Sequence, residues 1–117
     1  MTKNNLRKIK AILNSLTDKK AINPTAFNVT RQSGYTDFIV FVTGTSIQHN
    51  KAMCDVVTRT LKAKGFFKPA QEGTENSKWI LIDAGDVIVN VMLDEVRHYY
   101  DLETLWSKSE KITLNSL

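Results

Sequence analysis

The sequence predicts an α/β domain, a mixed sheet of about five strands with helices packed on it. Three observations carry that prediction. Residues 79–92 hold two apolar, β-branched runs joined by a turn containing Gly85, the usual sign of a hairpin. Phe38-Ile39-Val40-Phe41-Val42 is a short, continuous apolar run bounded by Asp37 and Gly44, as expected of a central strand buried on both faces. Two further segments repeat apolar residues at helical spacing: Leu6, Ile9, Leu13 and Leu16, then Ile47, Met53, Val56, Val57 and Leu61.

Taken in order, the first helix is expected over about residues 5–18, with Asn4 or Asn5 as its N-cap. Its basic first turn opposes the helix dipole. Pro24 stops any continuation and should hold Asn23 extended. Phe27 and Val29 alternate with polar neighbours, so residues 26–31 read as an edge or half-buried strand. After the central strand, Thr45 or Ser46 caps a second helix over about 47–64, and Gly65 stops it. This helix is placed as a crossover, which implies at least one parallel strand pair. Phe66 and Phe67 open a short strand limited by Pro69, and residues 72–77 form a polar loop leading into the hairpin. Reversal around Ala84-Gly85 sets Trp79 opposite Asn90 and Leu81 opposite Ile88. Residues 94–100 read as one or two helical turns, and Asp101 caps a last short helix ending near Trp106. Residues 1–106 therefore make a single domain, and 107–117 a loose, polar C-terminal tail.

Composition narrows the function classes. At 117 residues the chain fits one domain. Hydrophobic residues make up 42% and charged residues 24%, as in an ordinary globular protein. A single cysteine, Cys54, precludes an internal disulfide and fits a reducing compartment. No run approaches the ~20 apolar residues of a membrane span, and the N-terminus lacks the apolar core of a signal peptide. A cytoplasmic protein with no membrane partner is expected. The net charge of +4 is concentrated in Lys3, Arg7, Lys8, Lys10, Lys19 and Lys20. That cluster suits rRNA phosphate or an acidic partner, although a solvated helix face is the commoner origin of such a pattern.

Chemistry is harder to build. The Thr43-Gly44-Thr45-Ser46 turn between strand and helix can present backbone N–H groups to an anion. A similar turn serves nucleotidyltransferases, whose Asp-x-Asp pair on the next strand holds metal. Here Asp83 and Asp86 are three apart across a turn, and Asp101 and Glu103 fall on a predicted helix, where such a pair diverges. Helix capping is the simpler role for the turn. Cys54 lies on an apolar stripe with nothing beside it to lower its pKa. His49 and His98 have no companion ligands at metal-site spacing. No catalytic residue, metal site or cofactor is assigned, and the residues describe a binding module.

Three blocks then resemble the ribosomal silencing factor, or Iojap, family. They are Tyr35-Thr36-Asp37 running through Phe38–Val42 into Thr43-Gly44-Thr45-Ser46; Glu72-Gly73, five residues, then Trp79 to Val89; and Tyr99-Tyr100-Asp101-Leu102-Glu103-Thr104-Leu105-Trp106. The resemblance covers about residues 17–106, and the blocks stand in the family's order and spacing. It implies a nucleotidyltransferase-like fold without the catalytic carboxylates. It also implies binding to a ribosomal protein on the intersubunit face of the large ribosomal subunit, blocked joining of the small subunit, and translation repressed when nutrients are scarce. Organellar relatives act in large-subunit assembly. A homodimer of the free protein is compatible with the family's fold and with the apolar hairpin edge. One departure is Asn90, where the family's hairpin usually carries His.

The resemblance places the ribosomal-protein contact around the hairpin and the helical segment after it. Trp79, at the open end of the hairpin, is the expected anchor, since large aromatics at a sheet margin are favoured in interfaces. Leu81 shares its face, and Asn90 lies across from it. Asp94, Glu95 and Tyr99 are the expected rim, where carboxylates can meet a basic ribosomal protein. The competing readings are an active nucleotidyltransferase-like enzyme, and a small RNA-binding or ribosome-assembly domain working through the basic first helix.

Overall fold

A computed structural model of the chain describes residues 3–34, 36–73 and 76–113. The continuous apolar run forms β2 (Phe38–Gly44), buried at every position because it lies inside the sheet with helices on both sides. Around it stand β1 (Ile22–Asn28), β3 (Ala70–Gly73), β4 (Trp79–Asp83), β5 (Val87–Leu93) and β6 (Glu110–Ile112). Among the described residues they make one six-stranded sheet in the order β3-β4-β5-β2-β1-β6. The expected parallel pair is β2 with β5, in register from Phe38–Val87 to Gly44–Leu93. The other pairings are antiparallel.

The two helical stripes form α1 (Lys3–Asp18) and α2 (Ile47–Ala63), which cover one face. Ile9, Ile12 and Leu16 of α1 and Met53, Val57 and Leu61 of α2 meet Val40, Ile82, Val89 and Val91 there, all fully buried. Ser46 caps α2 by accepting from His49 N at 3.0 Å. Gly65, at φ +87°, closes it: Gly65 N bonds Lys62 O while Phe66 N bonds Leu61 O, the pairing of a Schellman end. On the opposite face a smaller cluster of Phe27, Val29, Ile39, Phe41 and Met92 is covered by α3 (Asp94–Tyr100) and a 3₁₀ turn, Leu102–Trp106. Phe27 and Phe41 meet edge to face at 6.2 Å.

Several expectations need correction. β1 runs over Ile22–Asn28 instead of 26–31, because Pro24 sits in a bulge and does not exclude the strand. Asn23 is left-handed there, φ +49°, not extended. β1 is also no edge, since β6 pairs with Ala26–Asn28. The loose tail expected over residues 107–117 is structured in part: Glu110–Ile112 is a strand with Ile112 buried, and residues 114–117 lie outside the described residues. This sixth strand exceeds the five expected. Phe66 and Phe67 lie outside any strand; the Schellman end consumes them, and β3 begins only after Pro69. The hairpin reverses one residue later than expected, around Gly85-Asp86, with Ala84 N bonded to Val87 O. Trp79 thus opposes Met92, and Leu81 opposes Asn90. A slip of two residues preserves the faces.

Candidate functional site

The face beneath α3 is only partly covered, and the hairpin's aromatic end lies in its open part. Trp79 is half-buried at the start of β4, and its Nε1 donates to Asn90 Oδ1 at 3.0 Å. The two are diagonal neighbours across the ladder, a separation that a Trp side chain spans. Asn90 is buried, so its carbonyl needs such a donor, while its Nδ2 lies 3.5 Å from Val40 O, a weak bond at best. Tyr100 packs on Trp79 with ring centroids 5.1 Å apart, and Tyr99 meets Tyr100 edge-on at 5.0 Å. Leu81 is half-buried beside them, and with Glu72, Gly73 and Trp79 it lines a shallow hollow of about 210 Å³. Tyr99 is 82% exposed and Tyr100 53%.

What holds α3 in place is a buried arginine. Arg97 Nε and Nη2 make a forked pair with Glu103 at 2.6 and 3.1 Å. Its Nη1 donates to Asn23 O at 2.9 Å and to Thr43 Oγ1 at 3.1 Å, and Nη2 to Thr25 Oγ1 at 3.2 Å. One side chain therefore ties the 3₁₀ turn, the β1 bulge and the end of β2 to α3. The left-handed Asn23 is what delivers its carbonyl to that site. Asp101, left-handed at φ +44°, separates α3 from the 3₁₀ turn and accepts from Thr104 Oγ1 at 2.6 Å.

Of the residues expected in a contact, Trp79, Leu81 and Asn90 share one face, with Tyr99 beyond Tyr100. Glu95 lies 3.9 Å from Lys78, next to Trp79. Asp94 pairs with His98 at 3.2 Å and lines a separate hollow with Ile22, Asn23 and Arg97. Both contacts are solvent-exposed and weak, so the carboxylates stay available. Tyr100 and Arg97 do not stand out in the sequence as site residues. Their roles depend on Trp79 and on the β1 bulge, both distant in the chain.

The groups weighed for catalysis have other occupations. The Gly44-Thr45-Ser46 turn follows the end of β2, whereas Asp86 O bonds Phe38 N at its start, a strand's length of roughly 20 Å away. Asp86 binds Lys8 Nζ at 2.6 Å, and Asp83 accepts from Gly85 N at 2.9 Å. In the turn, Thr45 N donates to His49 Nδ1 at 2.9 Å. A Cβ at Gly44 would stand 1.9 Å from Asn50 Oδ1 and 2.9 Å from Met53 Cε, so a larger residue would have to displace these buried side chains. Cys54 is buried, and desolvation pushes its thiol up to about 12. Among the described residues, no three His, Cys, Asp or Glu side chains gather as a metal set. Nor, among them, is any helix long and apolar enough to cross a membrane.

A family model described as "Ribosomal silencing factor during starvation" matches residues 2–117. This chain belongs to that family. A ribosomal silencing factor of Chromobacterium violaceum is 36% identical over 97 residues, covering 83% of this chain and 80% of the relative. A crystal structure of a protein from the same organism superposes with a TM-score of 0.83 at 33% identity, covering 92% of this chain and 89% of that one. A mouse protein named for mitochondrial assembly of the ribosomal large subunit is 29% identical over 102 residues, covering 85% of this chain and 45% of its own length. The silencing factor sheet thus has six strands here, with the C-terminal β6 included in the family match.

Proposed function

We propose that this silencing factor acts in the cytoplasm by docking on a ribosomal protein of the large subunit's intersubunit face. Occupation of that site blocks joining of the small subunit and represses translation when nutrients are limiting. The observation that carries this reading is the row Trp79-Tyr100-Tyr99: aromatic surface left open on a sheet whose other face is closed. Trp and Tyr anchors of this kind supply much of the energy of protein interfaces. Leu81 and Asn90 continue the surface, and Asp94 and Glu95 give it an acidic rim that suits a basic ribosomal protein. The chain binds and does not catalyse. When it is free, the same aromatic face can close on a second copy, since the hairpin itself has no free edge between β3 and β2.

Sucrose-gradient sedimentation with isolated subunits tests the reading. The protein should comigrate with large subunits and lower the yield of joined ribosomes when small subunits are added. Binding through a protein should also decline less steeply with salt than phosphate-dominated binding. Failure to comigrate, or comigration that leaves joining unchanged, would overturn it.

A further inference from the structure

The helical side of the molecule, opposite the docking face, carries a feature that silencing by a protein contact leaves unused. Phe67 is 99% exposed, although a phenylalanine is among the residues most often buried. Its neighbour explains its position. Phe66 is held against α1, with Arg7 Cζ and Lys8 Nζ each 5.3 Å from its ring centroid. With Phe66 turned inward and Pro69 buried, Phe67 stands out into solvent. Arg7, Lys10 and Lys64 line the adjoining groove between α1 and α2, with Asn14, Thr60 and, as the one carboxylate, Asp18. Lys3 lies one turn before Arg7 on α1, and Lys68 follows Phe67. Among the described residues, none of Lys3, Arg7, Lys10, Lys64 and Lys68 is paired with a carboxylate. Lys8 is different, since Asp86 neutralises it.

We propose that this groove and Phe67 form a binding surface for single-stranded RNA. An unpaired cationic track beside an exposed aromatic is the combination that binds single strands, the cations following the phosphates and the ring stacking on a base. A duplex keeps its bases stacked and offers Phe67 no face. A membrane surface fits less well, because one aromatic beside a groove containing Asn14 and Thr60 is no apolar wedge. The preference for RNA over DNA rests on the ribosomal reading above; the surface itself does not.

Fluorescence anisotropy with the full chain and a labelled oligouridylate of about twelve nucleotides tests this. Wild-type protein should bind it at low salt, more tightly than an RNA duplex, an oligothymidylate or anionic vesicles. Phe67→Ser, at a fully exposed site, should melt like wild type yet bind about tenfold more weakly with an unchanged salt slope. Arg7→Gln with Lys10→Gln should flatten the slope, by about 0.7 for each phosphate no longer neutralised. Equal binding by Phe67→Ser, equal binding of duplex, or binding of vesicles alone would overturn the proposal. Tighter binding of oligothymidylate would overturn the choice of RNA. Because naked RNA is used, failure here leaves the gradient experiment with large subunits unaffected.

Discussion

The two faces of the sheet differ in how they are finished. Under α1 and α2 the contacts are mostly aliphatic, with Val, Ile and Leu from strands and helices fully buried together and Phe38 as the one fully buried aromatic. Under α3 they are richer in aromatics and polar groups: Phe27, Phe41, Trp79 and Trp106 stand among Val29, Ile39 and Met92, Trp79 bonds the buried Asn90, and Arg97 bonds Thr43. On the first face the apolar area is already removed from water, so its energy goes into folding. On the second, Tyr99, Tyr100 and Leu105 keep most or much of their surface exposed, Leu105 at 71%. Covering a large side chain completely is worth about 1.5–3 kcal/mol, and on this face that gain is available to a partner.

Substitutions at four sites on the two faces probe this difference. Leu61→Ala, in the closed face, should produce the largest loss, about 2–5 kcal/mol in urea unfolding; a loss below about 1 kcal/mol would mean that this face is loosely packed. Lys8 comes next. Its Nζ binds Asp86 at 2.6 Å and Ala84 O at 3.0 Å, tying α1 to the hairpin turn. Lys8→Ala should cost about 1–3 kcal/mol, and adding Asp86→Asn should cost little more because the two act as a pair. Strict additivity in that cycle would deny the coupling.

Trp79→Phe should cost about 1 kcal/mol, since it removes the donor to the buried Asn90 Oδ1 while keeping an aromatic ring. If Trp79→Phe melts like wild type, Asn90 has another partner. At neutral pH the smallest effect concerns Cys54, whose thiol is pushed from 9.0 to about 12 by burial. A folded pKa above the unfolded one means that the contribution is complete below about pH 9 and lost as pH rises toward 12. Relative to Cys54→Ala, wild-type stability should therefore fall between about pH 9 and 11. At neutral pH the native thiol should resist a disulfide reagent, and prompt labelling would show that it is accessible.

Much of this contrast is legible in the sequence, and its limits have physical causes. Local periodicity marks α1, α2 and β2, since burial of one stripe or of a whole run leaves its imprint on consecutive residues. The alternation of Trp79, Leu81 and Asp83 identifies the face, even though the turn reads one residue early. Arg97 and Tyr100 are silent because their partners, Asn23, Thr43 and Trp79, are brought near only by the completed sheet. β6 is silent because three residues with one buried aliphatic carry no period. Phe67 misleads outright: an apolar residue beside Phe66 reads as a strand, and only the Schellman end turns it outward. The basic helix misleads in part, since Lys8 belongs to an internal ion pair and its neighbours do not.

On the proposed reading the open aromatic face serves a partner and the closed face serves the fold, and Trp79→Ala separates the two roles. Circular dichroism and thermal melting should show a folded protein, destabilised more than Trp79→Phe but less than Leu61→Ala. In the same preparation, comigration with large subunits and inhibition of subunit joining should be lost, as expected when an anchor worth about 2 kcal/mol or more is removed. A Trp79→Ala protein that unfolds would show that Trp79 serves the fold, and one that stays folded and binds large subunits at wild-type strength would put the contact elsewhere.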